Sequence, residues 1–204
     1  MPETEEPVTT GDVVIPTSDE PPKVNAFHAF SDGAWIGLVV AGMVIANVLV
    51  IIALVALIDA LLGWIGGFIQ VPQLTIALIL GYLFYPIAAL LGVPSNEIYL
   101  VAQLIGIKIV QNEFVAYTAL SSETQYTSMS PRSQLIATYA LCGFGNISAL
   151  GIQIGVLGQL APDKKRVFSQ VALSALFTGV LATLTSASIA GMVLTDEHSF
   201  SNST

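Results

Sequence analysis

The chain has 204 residues, of which 54% are hydrophobic and 10% charged, with a formal net charge of −8 and a mean hydropathy of +0.78. That composition is too apolar for a soluble domain and places the chain in a bilayer. Its few cations form no basic stripe, which argues against nucleic acid as a partner, and the single cysteine, Cys142, excludes an internal disulfide, a multi-cysteine metal site and a CxxC redox motif.

Residues 1–33 read as a polar linker and the start of a first span. As far as Val24 they mix acids, Thr, Gly and Pro, too poor in apolar groups to build a core, and they lack the basic start and apolar middle of a signal peptide. Residues 34–62 (AWIGLVVAGMVIANVLVIIALVALIDALL) carry Asn47 and Asp59 as their only strongly polar side chains and form a transmembrane helix. Asp59 lies near the end of this span beside Trp64, within reach of the membrane interface. Residues 69–93 are broken by Gly81 and Pro86 and carry Tyr82, Phe84 and Tyr85, aromatic residues that favour the headgroup level, so they are expected to form interfacial helices.

Residues 97–122 contain two apolar arms, each too short to cross, on either side of Gln111-Asn112-Glu113. The expected geometry is a re-entrant hairpin whose tip faces protein or a wet cavity. Residues 133–160 form a second transmembrane segment, broken near its middle where Cys142-Gly143-Phe144-Gly145-Asn146-Ile147-Ser148 mixes glycines with an amide and a hydroxyl. Residues 167–194 form the last transmembrane helix, with Gly179, Thr183, Ala187 and Gly191 at every fourth position, a spacing suited to close packing against another helix. Residues 195–204 are a polar tail ending in an Asn202-Ser203-Thr204 sequon. Lys164, Lys165 and Arg166 put the loop before the last span in the cytoplasm. Three crossings then leave the linker cytoplasmic and the tail extracellular.

Glu113 is the sharpest chemical feature, because a carboxylate in a membrane segment is costly unless it faces a cavity, an ion or a substrate. It sits beside Asn112 at the hairpin tip, where an acid can equally serve as a favourable charge at a helix N-terminus. Asn146 and Ser148 can hydrogen-bond a polar solute or another helix. Phe144 can stack on a planar ligand or fill the core. Gln153 and Gln159 read as packing or cavity-lining groups. Two scattered histidines, His28 and His198, make no metal site, and the absence of GxGxxG, P-loop, GxSxG and HExxH patterns leaves an enzyme without a nucleophile or metal.

The motif NEFVAY at Asn112–Tyr117, followed by CGFGNISALGIQIG at Cys142–Gly155, resembles the concentrative nucleoside transporters. So do PETEE at Pro2–Glu6, IDALLGWIG at Ile58–Gly66, GYLFYPIAALLGVP at Gly81–Pro94, LAPDKK at Leu160–Lys165 and ALFTG at Ala175–Gly179, in family order. The resemblance implies an all-α membrane protein corresponding to the second inverted repeat of a transporter. It would have three transmembrane helices, interfacial helices and one re-entrant helical hairpin.

The implied function is ion-coupled symport of nucleosides at the plasma membrane, by a homotrimer, with sodium as the expected coupling ion and its ligands outside this chain. No other cofactor is implied. Glu113 and Asn146 correspond to residues that bond ribose hydroxyls, Phe144 to one facing the nucleoside, and Asn112 and Ser148 are expected beside them. Where the family has two serines after the asparagine, this chain has Ser148-Ala149, so one ribose contact is missing. The family's first repeat would precede the PETEE motif, so the chain is expected to be the C-terminal half of a transporter and not to transport alone. A different class, a non-transporting subunit that joins full-length transporters, fits the same residues; an intramembrane enzyme would have only Glu113 and Asp59 to work with.

Overall fold

A computed structural model describes residues 24–71 and 73–194; the first residues of the expected linker, with the PETEE motif, and the expected tail at 195–204 lie outside them. The described residues form α-helices joined by short turns, with no strand among them. They fall into two units that divide within the first helix, between Gly42 and Met43.

The first helix, α1 (Ala26–Phe68), is longer than the expected span. At its start Asn25 Oδ1 accepts the His28 N–H at 2.8 Å, and His28 and Asp32 pair at 3.4 Å one turn apart. With 43 residues it far exceeds the roughly 20 needed to cross a bilayer.

In the second unit, α1 ends where the Val71 N–H returns to the Gly66 carbonyl at 2.8 Å. Two short helices follow, α2 (Ile76–Leu83) and α3 (Tyr85–Leu90). The break between them falls at Phe84, just before Pro86, which sits in the first turn of α3 where its missing N–H costs nothing. Gly81 does not break the chain as expected. It lies inside α2, and a Cβ there would come within 2.7 Å of both Tyr99 and Gln103, so its smallness serves the contact between α2 and the next helix. Asp59 has a tertiary role as well: its carboxylate accepts the Ile76 N–H at 2.6 Å and so caps the start of α2.

Helix α4 (Ile98–Val110) is the centre of the core: Val101, Ala102, Leu104 and Ile105 are all buried, and it packs on α2, α3, α5 (Glu113–Ser122) and α7 (Pro131–Leu141). A helix buried on nearly every side needs apolar residues all round, which 98–110 supplies apart from Gln103 and Lys108. The single turn α6 (Thr124–Thr127), unforeseen from the sequence, leads into α7.

After α7 the chain runs through Cys142–Asn146 outside any helix and resumes as α8 (Ile147–Leu160). A 3-10 turn at Pro162–Lys164 leads into α9 (Lys165–Val193). Helix α9 lies along α7, with Ala187 fully buried and Gly191 against Ile136. Of the four small residues at every fourth position, Thr183, Ala187 and Gly191 serve close packing, while a Cβ on Gly179 would meet nothing within 4 Å.

Polar ties at one end of this unit fix the helix ends. Glu97, just before α4, accepts the Ser130 N–H at 2.8 Å and the Ser130 hydroxyl at 2.6 Å, joining the starts of α4 and α7. Arg132 donates to the Gly92 carbonyl at 3.2 Å and the Leu194 carbonyl at 2.9 Å, joining the end of α3 to the end of α9. Gly92 has φ +81°, a left-handed backbone that closes α3 and that glycine adopts without strain.

Two helices, Ala26–Phe68 and the 3-10 turn continued by α9 (Pro162–Val193), are long and apolar enough to cross a membrane. The region expected as a broken span, 133–160, is divided between α7 and α8 at the expected interruption, and each half by itself is well short of that length.

Candidate functional site

Two helices begin at asparagines in extended backbone. Asn112 has φ −168° and ψ 171°, and its Oδ1 accepts the Val115 N–H at 2.9 Å, which caps α5. Asn146 has φ −147° and ψ 164°, and its Oδ1 accepts the Ala149 N–H at 2.6 Å, which caps α8. Asn is among the preferred capping residues because its short side-chain carbonyl reaches a donor that has no partner within the helix. Both interruptions noted in the sequence are therefore the same device, a polar residue that starts a new helix inside an apolar segment.

The two starts meet at Glu113. Asn146 Nδ2 donates to Glu113 Oε2 at 2.7 Å, across a separation of 33 residues in sequence. Glu113 is the first residue of α5, so it occupies the position expected of a helix-terminal acid while also forming a tertiary contact; the two readings of this residue are compatible. Each helix start carries a partial positive charge, which favours a carboxylate between them.

Several other contacts fix the geometry. The Tyr117 hydroxyl donates to the Thr138 carbonyl at 2.6 Å and attaches α5 to the last turn of α7. Two glycines let the α7–α8 break lie close to its neighbours: a Cβ on Gly143 would collide with the Thr183 hydroxyl, and one on Gly145 would come within 2.9 Å of Val180 Cγ2. On the other side of α8, Gly151 and Gly155 face Asn47 and Met43 of α1.

A cavity of about 300 Å³ opens beside Glu113 and is lined by Asn112, Phe144, Asn146, Ser148, Ala149 and Gln153, among others. Asn112, Asn146 and Ser148 are each 2% exposed and Glu113 is 8% exposed. Asn112 Nδ2 and Ser148 Oγ are buried without a protein hydrogen-bond partner. Buried polar atoms are rarely left so, since an unmade hydrogen bond costs about 1–3 kcal/mol, and such atoms beside a cavity can be satisfied by water or by a polar ligand. Phe144, 71% exposed, is not a core residue; its ring lines the same cavity. Gln153 lines it as well.

All five candidate residues named from the sequence line this one cavity. Lys108, on α4, was not singled out there although it is only 1% exposed. The signal was available: a cation inside an apolar arm calls for the same question as an intramembrane carboxylate. Among the described residues no group of three or more His, Cys, Asp or Glu side chains is placed to hold a metal ion.

Interrupted helices whose starts converge on a buried charge, within an apolar helical region, recur at the binding sites of secondary transporters. The family model described as "Na+ dependent nucleoside transporter C-terminus" matches residues 1–191, and the chain belongs to that family. Over 182 residues it is 37% identical to sodium/nucleoside cotransporter 1 of Mus musculus, covering 83% of this chain and 28% of that protein. It is 41% identical over 170 residues to the uncharacterized transporter YutK of Bacillus subtilis (strain 168), covering 83% of this chain and 42% of the relative. A structure of CNTnw in an inward-facing substrate-bound state has a TM-score of 0.75 and 34% identity, covering 96% of this chain and 46% of that one. The chain thus spans less than a third of the length of the Mus musculus relative and under half of YutK and of the CNTnw chain.

Proposed function

We propose that this chain forms the carboxylate-bearing half of a nucleoside-binding site in an ion-coupled symporter. The observation that carries the reading is the Glu113 carboxylate, held between two capped helix starts by Asn146 and facing a cavity where Asn112 Nδ2 and Ser148 Oγ have no protein partner. A carboxylate with hydrogen-bonding capacity left over accepts from the vicinal hydroxyls of a ribose. Such charge-assisted bonds are about twice as strong as neutral ones and discriminate against sugars that lack the hydroxyls. Asn112 Nδ2 and Ser148 Oγ add donors around the same ligand, and the exposed ring of Phe144 offers a flat apolar face to it.

In this reading α4 and α5 are a re-entrant hairpin spanning 97–122, and α7 and α8 are one broken transmembrane element spanning 133–160. The segments 34–62 and 167–194 are full spans, and 69–93 carries the interfacial helices. The whole corresponds to the second inverted repeat, and the other half of the site comes from a preceding repeat, as in transporters that bind substrate between repeats. Sodium is the coupling ion, with its ligands outside this chain. The protein resides in the plasma membrane as a homotrimer, with 1–33 on the cytoplasmic side and 195–204 outside. The cations Lys164, Lys165 and Arg166 before α9 support that orientation.

The test is uptake of radiolabelled uridine, with and without sodium, in transport-deficient cells expressing the intact transporter that contains this chain, with surface localisation verified. Sodium-dependent uptake that Glu113→Gln abolishes without loss of membrane insertion is the expected result. Uptake that survives Glu113→Gln unchanged removes Glu113 from the site and overturns the reading.

A further inference from the structure

Glu113 and Lys108 are the only charged side chains buried among the described residues, and both belong to the pair of helices joined at Gln111-Asn112. Nothing in the site described above accounts for the lysine. An ammonium out of water is costly unless negative charge or carbonyl oxygen faces it, and inside a membrane protein it persists where it has a specific partner.

The surroundings of Lys108 identify that partner. A Cβ on Gly145 would lie 3.6 Å from Lys108 Nζ, which puts the ammonium against the bare backbone of the α7–α8 break. There α7 ends, and the last carbonyls of a helix carry partial negative charge and lack intrahelical donors. The Glu113 carboxylate, opposite in charge, favours the ammonium of Lys108. Gly145 is the residue before Asn146, whose amide holds Glu113 at 2.7 Å. The break therefore has the ammonium of α4 on one residue and the carboxylate of α5 bonded to the next.

We infer that Lys108 is a positioning residue of this site: its buried ammonium is the fixed counter-charge that keeps the Glu113 carboxylate and the hairpin turn seated against the α7–α8 break. Lys108 is not among the residues that line the cavity beside Glu113; it acts through Glu113 and through the backbone at Gly145. The functional consequence rests on the nucleoside-binding reading, whereas the charge pairing does not.

The first arm of the test needs no nucleoside. In the purified intact transporter, Lys108→Met leaves a buried carboxylate uncompensated and lowers the unfolding temperature by about 5–10 °C. Adding Glu113→Gln recovers much of that loss, so the double-mutant cycle is non-additive. Where Lys108→Met alone yields no folded protein, recovery of folded protein by the second substitution is the same result. Additive losses, or no recovery, overturn the inference.

The second arm measures uridine and 2′,3′-dideoxyuridine binding by titration. Lys108→Met weakens uridine by about tenfold, leaves the dideoxy analogue nearly unchanged, and Lys108→Arg restores most of the preference. Equal weakening of both ligands marks a structural role alone and overturns the positioning role. A wild-type protein that binds neither nucleoside overturns the proposed function, and the unfolding cycle then decides Lys108 by itself.

Discussion

Asn146 spends both ends of its side chain on structure: Oδ1 caps α8 through Ala149, and Nδ2 holds Glu113 Oε2 at 2.7 Å. The start of α8 and the carboxylate of α5 are thereby one mechanical unit, and the two functions of the amide can be separated by substitution. Asn146→Ser keeps a capping oxygen but loses the donor to Glu113. It is expected to cost about 0.5–1 kcal/mol in stability while reducing uridine uptake by tenfold or more. Asn146→Ala loses the cap as well, adding about 1 kcal/mol of destabilisation. Thermal unfolding alongside uptake kinetics separates the two effects.

Ala149 lines the cavity, where a second hydroxyl is missing compared with the expected pair of serines. Ala149→Ser adds a donor beside Ser148 and leaves the backbone N–H bonded to Asn146 in place. Uridine affinity is expected to rise by about three- to tenfold, in line with one added hydrogen bond worth about 1 kcal/mol. Titration with ribose and deoxyribose nucleosides reads the change; no change in either places residue 149 outside the ligand's reach.

Gly143 is fixed by the approach of Thr183 on α9. Gly143→Ala forces the two apart and is expected to destabilise the fold by about 1–3 kcal/mol. Because the obstructing atom belongs to a side chain, Thr183→Ala in the same protein should recover most of the loss. Failure of that rescue in a thermal-unfolding comparison means that the strain lies in the backbone of the break.

The tie between Glu97 and Ser130 should make stability sensitive to acid. Burial raises the Glu97 carboxyl, but hydrogen bonds from Ser130 and Ser133 outweigh it and hold the group below its ordinary value of 4.5. A carboxyl depressed in the folded state contributes stability that is fully present above the unfolded value and lost as pH falls through the folded one. The loss is therefore expected below about pH 4.5 and is absent in Glu97→Gln. Unfolding temperatures of both proteins measured from pH 6 to pH 3.5 check this; parallel curves mean that Glu97 is not the group responsible.

Much of this protein was legible in its sequence because the signals are local. A bilayer asks for long apolar runs, so the segments around α1 and α9 stand out by length alone. The interruptions at Gln111–Glu113 and Cys142–Asn146 stand out because polar residues within apolar segments are costly without a reason. Motif resemblance led to the family to which the chain belongs, and composition had already excluded a soluble domain.

What the sequence left open was every matter of partner choice. Glu113 read as a cavity-facing carboxylate, with a helix-terminal acid as the other reading, and only packing places Asn146, 33 residues away, on its carboxylate. Gly81 read as a breaker because glycine is one in an isolated helix, yet its helix continues, since the contact with α4 depends on its lack of a side chain. Asp59 read as an acid within reach of the interface, and only the fold shows that its carboxylate caps the start of α2. Lys108 passed unremarked because its burial is set by helices distant in the chain. Periodicity and hydropathy report what each segment needs from its surroundings. Which neighbour meets that need depends on contacts between residues far apart in sequence, and these exist only once the helices have packed.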